Sequence, residues 1–334
     1  MKKNSKDSSV FIISMIIVVS IVAWGLVFPK NFEFVADRTF SFISANFGWF
    51  YTIIMTSFIL FAIWVGFISP YKNIKLGPDD SKPEYSNISW FAMLFSAGMG
   101  IGLVFWGIAE PLNHFMKPIG AEPMTNAAAK FAMTKSFLHW GLHPWANYCV
   151  LGLGLAYMQF RKNKPGLVSS IFIPLLGEEK TKGPIGKTID ILAVFATAAG
   201  MATSLGLGTY QINSGLNYMF GIPENTTVQL IIVVGITIIY TITAVLGVDK
   251  GIKMISNLTM ILVAIILIGS IVLGPTVGIF NTLVESTGLY LQNIVGNAFE
   301  MGAFGDEAWY GAWTIFYWAW WIAWAPFTGV FIAR

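Results

Sequence analysis

Eight apolar runs of membrane-spanning length dominate this sequence and restrict what it can fold into. About 20 apolar residues in a helix cross the hydrocarbon core of a bilayer. Only 11% of the residues are charged, against roughly 25% in soluble domains. The pattern predicts an all-α, polytopic membrane protein. The predicted spans cover residues 9–29, 49–69, 88–108, 131–158, 189–209, 228–247, 254–274 and 313–333.

The basic residues predict the orientation of these spans. With the N-terminus inside, 15 of the 20 Lys and Arg residues lie on the cytoplasmic side, and such an excess marks cytoplasmic loops. No cleavage pattern follows the first run, which we therefore interpret as a retained helix. The sequence predicts a multi-pass protein of the cell membrane with a cytoplasmic N-terminus. Because the basic residues are spread through the loops, nucleic acid binding is not expected.

Two segments beyond these runs carry further expectations. Residues 276–312 contain acidic residues and no basic residue, and Ile279–Val295 has the moderate hydrophobicity of an interfacial helix. The chain ends at Arg334, where the eighth span reaches the cytoplasm. We therefore expect a polypeptide truncated after the eighth transmembrane helix, the front part of a longer protein.

The sequence offers no machinery for catalysis. It contains neither a P-loop nor an HExxH motif, and the polar residues of the spans do not supply a nucleophile, a base and an oxyanion donor together. The single cysteine, Cys149, excludes an intramolecular disulfide and a cysteine-rich metal site. We expect neither an enzyme nor a bound cofactor. The spans also lack central carboxylates, which favours sodium as a coupling ion over a proton relay.

Three glycines, Gly98, Gly100 and Gly102, lie in the middle of the third span. Each weakens a helix by roughly 1 kcal/mol relative to alanine. Non-helical backbone at membrane depth survives only when it is buried in protein or lines a cavity. One interpretation is an unwound segment whose free amides face an anion and whose free carbonyls bind a cation. The other is close helix packing through small residues.

Aromatic residues are concentrated inside the fourth predicted span. Trp145 and Tyr148 are spaced i, i+3 and share a helix face. Trp140 lies about 140° away on a regular helix. Pro144 stands between them and removes a backbone donor, so we expect it to bend this geometry.

The eighth span carries a second aromatic group. Trp318, Trp321 and Trp324 form one stripe at i, i+3 spacing, whereas Trp320 is expected to point elsewhere. An interfacial belt or lipid-facing packing would place such residues at span ends, but Trp321 is near the middle. Tryptophan faces attract cations that cannot donate a hydrogen bond. The alternative to packing is therefore a cage in which both groups surround a quaternary ammonium ion.

The third and eighth spans indicate an internal symmetry. They are five spans apart and run in opposite directions, as equivalent helices of two five-helix inverted repeats do. Residues 1–87 would then hold two preliminary helices and a cytoplasmic loop, and residues 88–275 the first repeat. Residues 276–312 would be the outer interfacial helix and its loop, and residues 313–334 the first helix of the second repeat.

Taken together, these motifs resemble the betaine/choline/carnitine transporter family over essentially the whole chain. The motifs that carry the resemblance are Leu76-Gly-Pro-Asp-Asp80, Gly98-Met-Gly-Ile-Gly102 followed by Glu110-Pro111, His139-Trp-Gly-Leu-His-Pro-Trp145, Ser204-Leu-Gly-Leu-Gly208 and the tryptophan motif Trp313–Phe327. The resemblance implies a LeuT-like inverted-repeat fold, a homotrimer, and substrates that bear trimethylammonium or similar groups.

The resemblance also implies a substrate site. The backbone of Gly98, Met99, Gly100 and Gly102 would face the carboxylate of the substrate. The side chains of the aromatic box would be Trp140, Trp145, Tyr148 and Trp321. The residues that line the pathway nearby would be Trp318, Trp320 and Trp324.

Sodium sites are implied in the same way. One would use backbone carbonyls near Ser96 and Met99, and a second would use Thr197 and Phe327. Met201 stands one turn after Thr197, where a second threonine hydroxyl is expected in sodium-coupled members. A thioether is a poor sodium ligand, so this second site departs from the pattern of the family.

The glycine motif bears on the choice of substrate. Choline-selective members of the family tend to carry an acidic residue at its last position, which is the neutral Gly102 here. We therefore hypothesise a secondary active transporter that takes up glycine betaine with sodium, by alternating access, as an osmoprotectant. Choline uptake and sodium-independent exchange of carnitine or betaine are the alternatives within transport, and Met201 points toward exchange. Outside transport, the alternative is a membrane receptor or structural protein whose aromatic residues only pack.

Overall fold

The computed structural model describes residues 5–80, 82–247 and 251–333, without the side chains of residues 5–8 and 101. All regular elements within these ranges are helical. Four of the basic residues that predict the orientation, Lys2, Lys3, Lys250 and Arg334, lie outside the described residues.

The helices of the described chain follow one another with short connections. They are α1 (Ser5–Val27), α2 (Pro29–Ile63), α3 (Asn87–Met116), α4 (Asn126–Trp140), α5 (Leu142–Ala156), α6 (Val168–Ile171), α7 (Ile173–Leu176), α8 (Glu178–Lys182), α9 (Pro184–Phe220), α10 (Thr226–Leu246), α11 (Lys253–Leu273), α12 (Thr276–Phe299), α13 (Glu307–Tyr310) and α14 (Phe316–Ile332). Single π-helical turns extend α2 over Trp64–Ile68 and α5 over Tyr157–Arg161, and another joins α13 to α14 over Gly311–Ile315.

Several of these helices can cross a membrane. Among the described residues, six helical segments are long and apolar enough to do so, and the bent helix α3 would be a seventh. The six are Ser9–Val27, Pro29–Ile68, Pro184–Phe220, Thr226–Leu246, Lys253–Leu273 and Glu307–Ile332. The chain is therefore an all-α, multi-pass membrane protein, as the apolar runs predict. Helix α12, which contains the predicted interfacial segment, does not belong to this set.

The chain divides into two compact units. Unit 1 comprises Met1–Lys82, Leu138–Gly200 and Ile294–Arg334, and unit 2 comprises Pro83–Phe137 and Met201–Asn293. Three of the four unit boundaries fall within α4, α9 and α12, and the fourth lies in the loop before α3. The division into inverted repeats stays a prediction.

The prediction of one span at residues 131–158 is wrong. The structure has two 15-residue helices there, α4 and α5, which are separated by Gly141. Gly141 has φ −90° and ψ −127°, so the backbone leaves the helix at this residue. Pro144 does not bend a continuous span but lies in the first turn of α5, where its missing N–H costs no helical hydrogen bond. A mostly apolar run thus contains a break between two helices.

Helices α2 and α3 also extend beyond the predicted limits of their spans. Helix α2 begins at Pro29 rather than at residue 49, because proline at the first helical position is preorganised for a helix. Charged residues lower the hydropathy of its first half without breaking it. Helix α3 continues through Glu110 and Pro111 to Met116, where the sequence predicts a break. Proline is tolerated inside membrane helices when neighbouring groups satisfy the freed carbonyl.

Helices α5 and α14 form the closest helix pair of unit 1, and glycines allow their approach. A Cβ atom on Gly152 would lie 2.6 Å from Cγ2 of Ile332, and one on Gly329 would lie 3.3 Å from the backbone N of Gly152. Small residues let membrane helices bring their backbones together in this way. The two helices that carry most of the predicted aromatic box are therefore held against each other by backbone packing.

The turn after α5 binds the loop that follows α2. Nη1 of Arg161 donates to the carbonyl O of Gly77 at 3.0 Å and to Oδ1 of Asp79 at 2.6 Å. The hydrogen bond and the charge of Arg161 lower the pKa of the Asp79 carboxyl below its usual range. This contact gives the Leu76–Asp80 motif a structural role, since it holds the loop against the turn that follows α5. An exposed ion pair of this kind adds little to folding stability.

We predict that Glu178 on α8 makes a pH-dependent contribution to the stability of the fold. Its carboxylate accepts hydrogen bonds from Lys164 and Lys182, which lower its pKa from 4.5 to about 2. A carboxyl group whose pKa is lower in the folded than in the unfolded protein stabilises the fold at pH values above the unfolded pKa, near 4.5. This stabilisation disappears as the pH falls through the folded pKa of about 2. Glu178→Gln should lower the unfolding midpoint in detergent by about 1 °C at pH 7 and low salt, as expected for an exposed pair.

The matched control for this prediction is Glu179→Gln, which removes the same charge from the adjacent exposed position. The deficit of Glu178→Gln should shrink between pH 4.5 and 3 and in about 1 M salt, which screens exposed charges. A deficit that grows toward low pH would contradict the assignment.

Candidate functional site

Four aromatic side chains of unit 1 converge where α4, α5 and α14 meet, and we call Trp140, Trp145, Tyr148 and Trp321 the aromatic cluster. Trp140 is the last residue of α4, Trp145 and Tyr148 lie on α5, and Trp321 lies on α14. Tyr148 and Trp321 are buried, and the other two are half-buried. The break at Gly141 separates Trp140 from α5, so the i, i+5 angle of a regular helix does not apply to it.

The rings of the aromatic cluster meet nearly at right angles. Trp140 and Trp321 have centroids 4.9 Å apart and planes at 78°. Tyr148 meets Trp321 at 6.1 Å and 85°, and Trp145 meets Tyr148 at 6.0 Å and 87°. Perpendicular rings of this kind can form the adjacent walls of a box. The side chains carry no formal charge, so their attraction for a cation comes from the negative faces of the rings.

The prediction that Trp320 points away from this cluster is wrong. Its ring stacks on Trp321 with centroids 4.9 Å apart and planes at 7°, because two large adjacent indoles can turn into parallel planes although their Cβ atoms diverge. Trp320 also meets Trp140 at 6.4 Å and 85°. One face of Trp321 is therefore covered by Trp320, and Tyr317 lies near the same indole with the ring planes at 23°.

The other two tryptophans of α14 contact different partners. Trp318 is fully buried and stacks on His143 at 4.9 Å and 22°. Trp324 lies against α9, where a Cβ atom on Gly200 would come within 2.6 Å of its ring, and it meets Phe327 at 5.1 Å. In the described part of the chain, both ring nitrogens of His143 and Nε1 of Trp318 are buried without a hydrogen-bond partner. Buried polar atoms of this kind are commonly satisfied by ordered water.

Two residues, His139 and Asn147, support the aromatic cluster through hydrogen bonds that sequence reasoning missed. Nε1 of Trp321 donates to the carbonyl O of His139 at 2.9 Å, and Nδ2 of Asn147 donates to the carbonyl O of Trp321 at 2.8 Å. The imidazole of His139 in turn lies 3.0 Å from Oγ1 of Thr314 and stacks on Tyr317 at 4.7 Å. Asparagine inside an apolar span is the signal that could have drawn attention to Asn147, since a buried amide needs partners.

The glycine motif lies on α3 in unit 2. Gly100 has non-helical angles, φ −16° and ψ −125°, and the two halves of α3, Asn87–Gly100 and Gly102–Met116, are inclined by 52°. A break of this kind leaves amides and carbonyls near it without partners in the helix. Gly98 and Gly102 are buried, and Met99 is 4% exposed. Of the two interpretations of the motif, the geometry matches an interrupted helix.

The predicted sodium ligands fall into both units. On α3, Oγ of Ser96 is buried and has no hydrogen-bond partner among the described residues. Together with the carbonyls of the α3 break, this oxygen suits a hard cation. In unit 1, Thr197 and Phe327 are half-buried. The contact between Gly200 and Trp324 brings the turn of α9 that follows Thr197 against α14.

A buried ionisable pair on α3 was also missed by the sequence reasoning. Glu110 and His114 are both fully buried, and Oε1 of Glu110 lies 3.2 Å from Nε2 of His114. The expectation that the spans lack carboxylates rests on ending the third span before Glu110. Because α3 continues to Met116, this carboxyl group lies inside a helix.

Comparison with known proteins gives a consistent picture. The sequence model of the betaine/carnitine/choline transporter family matches residues 9–334. The chain is 49% identical over 331 residues to the glycine betaine transporter OpuD of Bacillus subtilis (strain 168), covering 98% of this chain and 64% of that protein. It is 49% identical over 332 residues to a probable glycine betaine transporter of Desulfitobacterium hafniense (strain Y51), covering 99% of this chain and 66% of that protein.

A third relative has a different named substrate. The ectoine/hydroxyectoine transporter of Virgibacillus pantothenticus is 44% identical over 336 residues, which cover 100% of this chain and 66% of that protein. The chain thus spans slightly less than two thirds of the length of these curated relatives.

Proposed function

Because the chain belongs to the betaine/carnitine/choline family of transporters, we propose that the protein takes up glycine betaine together with sodium by alternating access. The observation that carries this proposal is the aromatic cluster, in which four uncharged rings from α4, α5 and α14 meet nearly at right angles. Two relatives of high identity are named as glycine betaine transporters or probable ones.

The aromatic cluster is proposed to hold the trimethylammonium group. This group carries a positive charge but cannot donate an N–H hydrogen bond, and it is attracted to ring faces. Each desolvated face contributes about 0.5–2 kcal/mol. Trp318, Trp320 and Trp324 are assigned to the pathway of the substrate on α14. The aromatic cluster and these three tryptophans all belong to unit 1.

The carboxylate of the substrate is assigned to the backbone amides of the Gly98–Gly102 segment. The kink of α3 at Gly100 supports this assignment, since backbone amides at a helix end are suitable anion donors. Gly102 brings no negative charge that would repel the carboxylate or pair with a lone cation such as choline. A neutral motif therefore favours a zwitterion.

Sodium is proposed as the coupling ion. The carbonyls of the α3 break near Ser96 and Met99, with Oγ of Ser96, are oxygen donors of the kind that sodium needs. A second site is assigned to Thr197 and Phe327, with one hydroxyl fewer because Met201 carries a thioether. When bound, sodium would supply positive charge that stabilises the substrate-loaded state.

Uptake of labelled glycine betaine by the complete gene product in proteoliposomes tests this function. We expect uptake that requires an inward sodium gradient and that excess unlabelled choline or carnitine inhibits poorly. Ectoine is included as a competitor because one relative is named for it. Sodium-independent exchange would contradict the coupling, and preferential inhibition by choline, carnitine or ectoine would contradict the substrate assignment. Absence of uptake with saturable betaine binding would instead favour a receptor.

The proposal extends to the setting of the protein. We place it in the cell membrane as a homotrimer, with its N-terminus in the cytoplasm, where betaine accumulation protects against osmotic stress. The excess of basic residues in the segments assigned to the cytoplasm supports this orientation. Native mass spectrometry in detergent would detect a trimer, and a monomer or dimer would contradict that part of the proposal.

A further inference from the structure

Trp321 is attached to the α4–α5 segment at both of its polar ends. Its indole N–H donates to the carbonyl O of His139 at 2.9 Å, and its own carbonyl O accepts from Nδ2 of Asn147 at 2.8 Å. Asn147 is 3% exposed and Trp321 is 2% exposed, so no bulk water competes for these bonds. We call this pair of hydrogen bonds the Trp321 clamp.

The helix break explains why the first acceptor is available. In a continuous helix the carbonyl of His139 would accept from the amide of His143. Helix α4 ends at Trp140, and the backbone at Gly141 leaves the helical region. The carbonyl of His139 therefore lies at a helix end, where it accepts the indole N–H of Trp321.

In the second bond of the Trp321 clamp, the acceptor is a backbone carbonyl that can accept two hydrogen bonds. A carbonyl oxygen has two lone pairs, so that of Trp321 can accept from Asn147 and still take part in α14. Pro326 lies just over one turn later and removes one amide donor from this helix. Asn147 thus adds a donor to a stretch of α14 where the backbone hydrogen bonding is weakened.

We propose that Asn147 is a positioning residue for the quaternary ammonium site: it holds the backbone of Trp321 in place, while the bond from the indole to His139 fixes the plane of the ring. This inference rests on the proposed function, because it assumes that the aromatic cluster binds the cation. Rotation of the indole would break its bond to His139, and displacement of α14 would break the bond from Asn147. Cation–π attraction needs the cation over the ring face within about 6 Å of the centroid, so both movements weaken binding.

The location of Asn147 argues for more than general packing. It stands between Ala146 and Tyr148, two residues after Trp145, so it shares the helix that supplies half of the aromatic cluster. Burying an amide in an apolar span is costly unless its hydrogen bonds are made. An apolar residue of similar volume would fill this site without that cost. What it would lose is the directional bond to the backbone of Trp321.

Asn147→Leu is the main test, because leucine keeps the volume and removes the donor. The complete protein would be purified with 5-fluorotryptophan, the ¹⁹F signal of Trp321 assigned by Trp321→Phe, and the Kd of glycine betaine measured by calorimetry. We expect Kd to rise about 10-fold, as for loss of one buried hydrogen bond, and the ¹⁹F signal of Trp321 to shift or broaden. Asn147→Ser, which is too short to reach the carbonyl, carries the same expectation should the leucine variant fail to fold.

Asn213→Leu provides the matched control. Asn213 is 1% exposed on α9, and its Nδ2 donates to the carbonyl O of Pro223 at 3.2 Å, so this change also removes an amide-to-carbonyl bond of a buried asparagine. It should lower the unfolding midpoint about as much as Asn147→Leu, yet change Kd less than about 2-fold and leave the Trp321 signal in place.

Four outcomes separate this inference from the proposed function. An unmoved Trp321 signal in Asn147→Leu, or an equal rise of Kd in both leucine variants, would overturn the positioning role and leave the proposed function intact. A normal Kd with a shifted signal would do the same. Failure of the wild-type protein to bind glycine betaine would overturn the proposed function itself, and the role of Asn147 with it.

Discussion

Replacing Trp321 by alanine is expected to raise the Kd of glycine betaine at least about 30-fold. The change removes one ring face, worth about 2 kcal/mol when desolvated, and the partner that Trp140 and Tyr148 meet at right angles. Trp321→Phe retains a ring face but loses the bond to His139, so an intermediate increase of about 5–10-fold is expected. Binding to the purified complete protein is measured by calorimetry.

The control for Trp321 is another tryptophan whose indole also makes a hydrogen bond. Nε1 of Trp24 on α1 donates to Oδ1 of Asn31 at 3.0 Å, and Trp24→Phe removes that bond in the same way. Its Kd should stay within about 2-fold of the wild-type value. Equal effects of Trp24→Phe and Trp321→Phe would show that the loss reflects general destabilisation. Loss of folding in Trp321→Ala leaves Trp321→Phe as the deciding variant.

Introducing valine at Gly152 is expected to disrupt the contact between α5 and α14. Even a single Cβ atom there would lie 2.6 Å and 2.8 Å from atoms of Ile332, so both backbones must move apart. Overpacking of this kind costs about 1–3 kcal/mol or more. The unfolding midpoint should fall by several degrees. Betaine binding should weaken as well, because these helices carry Trp145, Tyr148 and Trp321.

Gly235→Val on α10 is the matched control for this prediction. A Cβ atom at Gly235 meets nothing within 4 Å, so the same side chain is added to a membrane helix without a steric conflict. Replacing a mid-helix glycine there should leave the midpoint unchanged or raise it slightly. A Gly152→Val protein as stable as Gly235→Val would contradict the close backbone packing of α5 and α14.

The sequence identifies the spans well where hydropathy and helix length coincide. The predicted limits of α10 and α11 lie within a residue or two of those in the structure. Helix α2 was placed too late because Lys30, Glu33, Asp37 and Arg38 lower the hydropathy of its first half without breaking the helix. Hydropathy indicates whether a helix contacts lipid or water. It does not indicate where the helical backbone begins or ends.

At Gly141 the prediction errs in the opposite direction, because the hydropathy indicates a continuous helix where the structure has a break. Residues 131–158 form a mostly apolar run, and the strongest helix breaker in this run is Pro144. The structure interrupts the helix three residues earlier, since a proline is accommodated best within the first turn. The carbonyl O of His139, close to this break, accepts the indole N–H of Trp321. Such a bond depends on tertiary contact between α4 and α14, which spacing along one helix cannot reveal.

The candidate site was predictable in part. Spacing on single helices indicates Trp145, Tyr148 and Trp321 as aromatic faces, and the resemblance to the family groups them with Trp140 into one box. The stacking of Trp320 and the donor role of Asn147 were not predictable, because each depends on side-chain rotation or on a neighbouring helix. The roles of the four ring residues in substrate binding stay a proposal that variants must test.

The most direct test of the central claim compares glycine betaine with its uncharged-carbon isostere, 3,3-dimethylbutyrate, as ligands of the purified complete protein. The two share shape and carboxylate and differ in the positive charge of the trimethyl group. If the aromatic cluster binds through its ring faces, calorimetry will give at least about 10-fold tighter binding for glycine betaine, and Trp321→Ala will abolish the difference. Equal affinity for both ligands would show that the cluster recognises an apolar shape, and would contradict the account.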